Sequence, residues 1–104
     1  MSGQAQIQAV VQQVQAAQKQ VMLFRQQIGE LEGTIEAVQN QPADMALHRN
    51  LGGVMVEVSD REKLLEELVE QAARLNEHLA RFEDKEKQLV EAYNTMRQHL
   101  EGSQ

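Results

Sequence analysis

Cysteine is absent from all 104 residues. Neither a disulfide framework nor a Cys-based zinc site is therefore available, and a reducing compartment, by default the cytoplasm, is expected. Aromatic residues make up 3% of the chain, too little bulk to enclose a globular core, so stability has to come from another kind of packing. Long apolar runs are missing as well: polar residues interrupt each hydrophobic stretch, which argues against a membrane-spanning helix. Met1-Ser2-Gly3-Gln4 has neither the basic segment nor the apolar core of a signal peptide. A formal charge of −6 and a pI near 5.0 argue against nucleic acid as a partner, because that affinity comes from clustered Lys and Arg releasing counterions. Chemistry is equally sparse. There is no Cys nucleophile and no Gly-rich phosphate loop, and the only serines are Ser2, Ser59 and Ser103. His48, His78 and His99 are scattered, with no i, i+4 pair to face a metal, and His78 and His99 flank the apolar seam described next, where solvated side chains are expected. No enzyme activity, cofactor or metal site is expected.

What the chain does have is a heptad that runs along one half and returns along the other. Ile7, Val14, Val21, Ile28 and Ile35 recur at seven-residue spacing and interleave with Val10, Ala17, Phe24, Leu31 and Val38, the a/d seam of a coiled coil. Leu65, Ala72, Leu79, Glu86, Tyr93 and Leu100 alternate with Leu68, Leu75, Phe82, Leu89 and Met96 at the same cadence. With Val38 opposite Leu65, the residue numbers of each further pair add to 103, from Ile35 with Leu68 to Ile7 with Met96. The pattern predicts an antiparallel helical hairpin whose arms, at about 1.5 Å per residue, are on the order of 50 to 60 Å long. The one polar seam residue, Glu86, falls opposite Ala17, which leaves its carboxylate room to reach solvent. Charge is uneven: Met1 to Val21 carries only Lys19 among many glutamines, whereas residues 60–101 are densely charged. There Glu70 and Arg74, Glu77 and Arg81, and Glu83 and Lys87 stand four apart, acidic member first, as solvated helix faces favour.

Between the arms the period changes. Pro42 cannot continue a helix and pushes Gln41 out of the α region, so the first helix is expected to end near Val38 or Gln39. From Met45 the apolar residues alternate, with Met45, Leu47 and Leu51 before Gly52-Gly53 and Val54, Val56 and Val58 after it. Two β-rich runs joined by Gly-Gly predict a tight hairpin, since both central residues of a type I′ turn need positive φ. Ser59-Asp60-Arg61-Glu62 then predicts a capping box, with Ser59 and Glu62 satisfying each other's backbone N–H groups. The expected organisation is one domain over 1–104: helix 1–39, hairpin 45–58 and helix 60–100. An isolated two-stranded hairpin is marginal in water, and this one exposes valines and two unpaired edges. The hairpins of several chains are therefore expected to complete a shared sheet or β-barrel, with Leu47, Leu51, Val54, Val56 and Val58 at the interface.

This order of elements resembles the β-class subunit of prefoldin, most specifically over Leu47-His48-Arg49-Asn50-Leu51-Gly52-Gly53-Val54-Met55-Val56-Glu57. That stretch is similar to the family's aromatic-basic-x-aliphatic-Gly-x-aliphatic-aliphatic-Val pattern, and the single hairpin fits the β class, the α class having two. The chain departs from the family at His48, where tyrosine is common, and at Gly29 and Gly33 within the first helix. Both glycines lie off the seam, where their effect is lost helix propensity. The resemblance implies a chaperone that works without nucleotide. Its partners are a prefoldin α-class subunit and further copies of the chain, in a hexamer of two α and four β subunits, together with unfolded client proteins and a group II chaperonin. Clients are held at the distal ends of the arms, here Met1 to about Gln20 and Lys87 to Gln104. There Ile7, Val10, Val14, Leu89, Tyr93 and Met96 are expected to part and offer apolar surface, extended by Val11 and Val90 beside the seam and by the adaptable Met96. The competing reading is a structural coiled-coil adaptor or spacer that is oligomerised by its hairpin.

Overall fold

A computed structural model describes residues 3–102 as four elements, α1 (Gly3–Asn40), β1 (His48–Leu51), β2 (Val54–Glu57) and α2 (Arg61–Gly102). Met1, Ser2, Ser103 and Gln104, which the expected domain and its distal ends include, lie outside the described residues. The 38 residues of α1 and 42 of α2 fall into two compact units, 3–25 with 77–102 and Gln26–Asn76, in each of which the two helices pack as an antiparallel coiled coil.

In the first unit Val10, Ala17 and Val21 are buried. Ile7, Val14 and Phe24 on α1, and Leu79, Phe82, Leu89, Tyr93, Met96 and Leu100 on α2, are half-buried. The pairing register is visible at its end, where a Cβ placed on Gly3 stands 2.6 Å from Leu100 Cδ2, a pair whose numbers again add to 103. The Phe24 ring lies against Phe82 (centroids 5.1 Å apart, tilted 30°) and His78 (6.1 Å, 25°). Those two residues flank Leu79, the partner the register assigns to Phe24, so Phe24 inserts as a knob between successive turns of α2. His78 is exposed, as expected of a residue flanking the seam, and its place there also brings its ring against Phe24. Glu86 is half-buried, and no buried side-chain polar atom among the described residues lacks a hydrogen-bond partner.

In the second unit Ile28 and Val38 are buried, and Leu31, Ile35, Leu65, Leu68, Ala72 and Leu75 are half-buried. No large side chain among the described residues is fully enclosed, because a two-helix seam leaves the flanks of each knob open. Positions 29 and 33 have open space where a side chain would stand, so their glycines serve no close packing within the chain.

Helix α1 runs to Asn40, one residue past the expected end, and the Gln41 N–H closes its last turn on the Ala37 carbonyl (3.1 Å). Pro42 then opens a turn in which the Met45 N–H donates to the Pro42 carbonyl (3.0 Å). This removes Met45 from the strand where alternation had put it. The strands pair antiparallel, His48 with Glu57, Arg49 with Val56, Asn50 with Met55 and Leu51 with Val54. One further bond, Val58 N–H to the Leu47 carbonyl (2.8 Å), extends the ladder at its base. Gly52 and Gly53 have φ of 59° and 88°, the left-handed conformation of a type I′ turn. The Asn50 Oδ1 accepts from the Gly53 N–H (2.9 Å) and fastens the turn.

Two local expectations are corrected. The cap of α2 is Asp60, not Ser59: the Lys63 N–H donates to Asp60 Oδ1 (3.0 Å) and the Leu64 N–H to the Asp60 carbonyl (3.2 Å). Both residues are good caps, but the β2–α2 connection uses Ser59 to leave the strand, and the helix begins one residue later. The three i, i+4 pairs do not form. Among the described residues the ion pairs are Arg25–Glu83 (2.9 Å), Arg49–Glu67 (3.5 Å) and Arg97–Glu101 (3.9 Å). Glu83 thus turns to the neighbouring helix, whose Arg25 reaches it without displacing a seam residue.

Candidate functional site

Two surfaces stand out, one in each unit. The first is the hairpin. Cross-strand partners share a face and faces alternate along a strand, so the register sets Leu47, Arg49, Leu51, Val54, Val56 and Val58 on one side and His48, Asn50, Met55 and Glu57 on the other. All five apolar residues assigned to the oligomer interface fall on the same face. Leu47 and Val58, at the base, are half-buried, whereas Leu51 is 52%, Val54 62% and Val56 41% exposed. Met55 on the opposite face is 63% exposed, so both faces carry apolar side chains into solvent. Within the chain β1 and β2 pair only with each other, which leaves both strand edges with unsatisfied N–H and C=O groups. Arg49, the polar residue of the apolar face, reaches Glu67 of α2.

The second surface lies in the unit built from the chain-terminal halves of α1 and α2. The seam is closed as far as Gly3 and Leu100, and openings lie along its flanks. Val11, Val14, Val90 and Tyr93 line a groove of about 250 Å³ with Gln15 and Gln18 on its rim. Leu89 lies in another of about 400 Å³, floored by Ala16, Ala17 and Phe82 and rimmed by Gln13, Gln20 and Lys85. Met96 shares a third, about 290 Å³, with Gly3, Gln6, Thr95, His99 and Leu100. Val11 and Val90, expected from the sequence to extend the apolar surface beside the seam, meet in one groove with two seam residues. Ile7 and Val10 line none of the three; Val10 is buried and holds the helices together. Phe82, Ala16 and Ala17 were missed as groove residues. The signal was the Ala16-Ala17 doublet: small side chains at a seam position and its flank leave a notch that a bulkier pair would fill.

Charge divides between the units. Residues 26–76 hold ten Asp and Glu against four Lys and Arg, and the unit with the grooves holds six of each. The whole net charge of the chain therefore belongs to the unit with the hairpin. In α1 the first acidic residue is Glu30, and residues 4–20, ends included, hold eight glutamines. The apolar grooves are thus bordered on α1 by neutral amides that donate and accept hydrogen bonds. Met22 (68% exposed) and Leu23 (44%) are further exposed apolar side chains of α1. Among the described residues no group of three His, Cys, Asp or Glu side chains is placed to hold a metal, and no helix is long and apolar enough to cross a membrane.

Comparison with curated proteins gives no match. A family model described as prefoldin subunit matches residues 2–104.

Proposed function

Because the chain belongs to the prefoldin family, and its two helices and single hairpin are those of a β-class chaperone subunit, we propose that it is a holdase. In this reading it binds unfolded polypeptides on the flanks of the coiled coil at its chain-terminal ends and delivers them to a group II chaperonin without nucleotide. The hairpin completes a β-barrel with those of an α-class subunit and of further copies, in a hexamer of two α and four β subunits, and the whole chain works as one domain in the cytoplasm.

The observation that carries this reading is the apolar groove of Val11, Val14, Val90 and Tyr93 in an electroneutral unit. A client held by burial of apolar surface need match neither shape nor charge, and neutral amides at the rim exclude no client by sign. The hairpin supports the assembly: a two-stranded sheet with exposed Leu51, Val54 and Val56 gains from added strands both the pairing of its edges and the removal of those side chains from water.

The test is suppression of aggregation of several unrelated denatured proteins by the assembled complex. The double substitution Val11→Ser with Val90→Ser is expected to weaken it severalfold at unchanged assembly mass. An adaptor with one folded partner would show no such breadth, and suppression indifferent to both substitutions would remove the groove from the mechanism.

A further inference from the structure

Arg61 is the first residue of α2, where the helix dipole favours acidic side chains and disfavours a cation. A residue that contradicts local preference is held there by something else. Its guanidinium donates to three carbonyl oxygens of the segment that follows α1: Nη1 to Gln41, and Nη2 to Pro42 (3.1 Å) and Met45 (3.0 Å). Helix α1 has no basic residue in its last turn, so the C-terminal end of its dipole lacks a cation of its own. Arg61 supplies it from the start of the other helix and at the same time holds both ends of the Pro42–Met45 turn.

We propose that Arg61 is the positioning residue of the assembly head, fixing the direction in which the hairpin leaves the coiled coil. This rests on the reading of the hairpin as the assembly surface. The hairpin cannot set that direction itself: every residue of both strands is exposed, and a two-stranded ribbon is marginal in water. Its orientation is imposed at its base. Arg61 holds the Met45 carbonyl, two residues before Leu47, whose own carbonyl takes the first bond of the ladder from Val58. Arg49–Glu67 adds an exposed contact higher on the ribbon, of small worth alone. A head held in one orientation is spared the ordering cost of assembly, and a loose one meets it at each association. The guanidinium reaches the three carbonyls from two nitrogens held apart in one plane; a lysine ammonium keeps the charge and three donors but gathers them on a single nitrogen.

The experiment compares wild type, Arg61→Met and Arg61→Lys. Helicity by circular dichroism is expected to be alike in all three, since the seam is untouched. In the isolated chain, cleavage by an Asp-specific endoprotease before Asp44, inside the clamped turn, is expected to speed in Arg61→Met and to be intermediate in Arg61→Lys. On mixing with an α-class subunit, Arg61→Met is expected to need on the order of tenfold to a hundredfold more protein to assemble, with Arg61→Lys between. Cleavage and assembly equal in all three chains would overturn the proposal. If the wild type itself ignores the α-class subunit, the assembly reading fails instead, and the Asp44 cleavage rates still decide whether Arg61 fixes the base of the hairpin.

Discussion

At the residue scale the most instructive position is the start of α2. Ser59 and Asp60 are adjacent, both cap well, and Ser59 has the glutamate three residues on that a capping box needs. Nothing local separates them; what decides is where the strand releases the chain. Asp60→Ala is expected to cost about 1 kcal/mol and Ser59→Ala less than about 0.5 kcal/mol, read from urea unfolding of the assembled protein. Equal losses would return the cap to Ser59. Gly29 and Gly33 make the opposite case. Their side-chain positions are empty, so replacing either by alanine is expected to raise stability by about 0.5 to 1 kcal/mol through helix propensity alone. Destabilisation would reveal a neighbour in the assembly that the single chain does not contain.

At the scale of elements, period was legible and reach was not. The seven-residue spacing identified both helices, and the pairing sum of 103 gave a register that Gly3 against Leu100 and Phe24 between His78 and Phe82 both obey. Gly52-Gly53 likewise announced the turn, because two consecutive positive φ angles have few other solutions. Of the ion pairs, Arg25–Glu83 could not be read because it crosses the seam, and Arg97–Glu101, a same-helix pair, has the basic member first, the reverse of the expected order. Arg61 was unreadable too: its three acceptors are backbone carbonyls, which no residue type advertises. The flank grooves were half legible. Val11 and Val90 stood out beside the seam, but the register that sets Ala17 opposite Glu86 does not show that the small pair Ala16-Ala17 leaves an opening between Phe82 and Leu89. For the hairpin, Val56→Asp places a charge on the apolar face between Leu51 and Val58. It is expected to dissolve the assembly with little change in helicity, to be read by sedimentation and circular dichroism. A variant that still assembles would take this face out of the interface.

At the scale of the whole molecule, the division of charge runs parallel to the proposed division of labour. The unit with the hairpin carries the full −6, a charge that opposes nonspecific association of its exposed apolar strands; the unit with the grooves is neutral. Association through β-strand pairing and apolar burial is expected to survive raised salt, and client holding to be equally insensitive, since screening weakens neither contribution. Strong loss of aggregation suppression between 0.05 and about 0.5 M salt would point instead to charged recognition of clients. All of this depends on the hairpin being completed by other chains. The direct measurement is the solution mass by multi-angle light scattering, with the chain alone and mixed with a two-hairpin α-class subunit. A discrete hexamer-sized particle that appears on mixing is the predicted result. A monomer or dimer that ignores the α-class subunit would contradict it, leaving a coiled-coil adaptor that shares the family's architecture without its assembly.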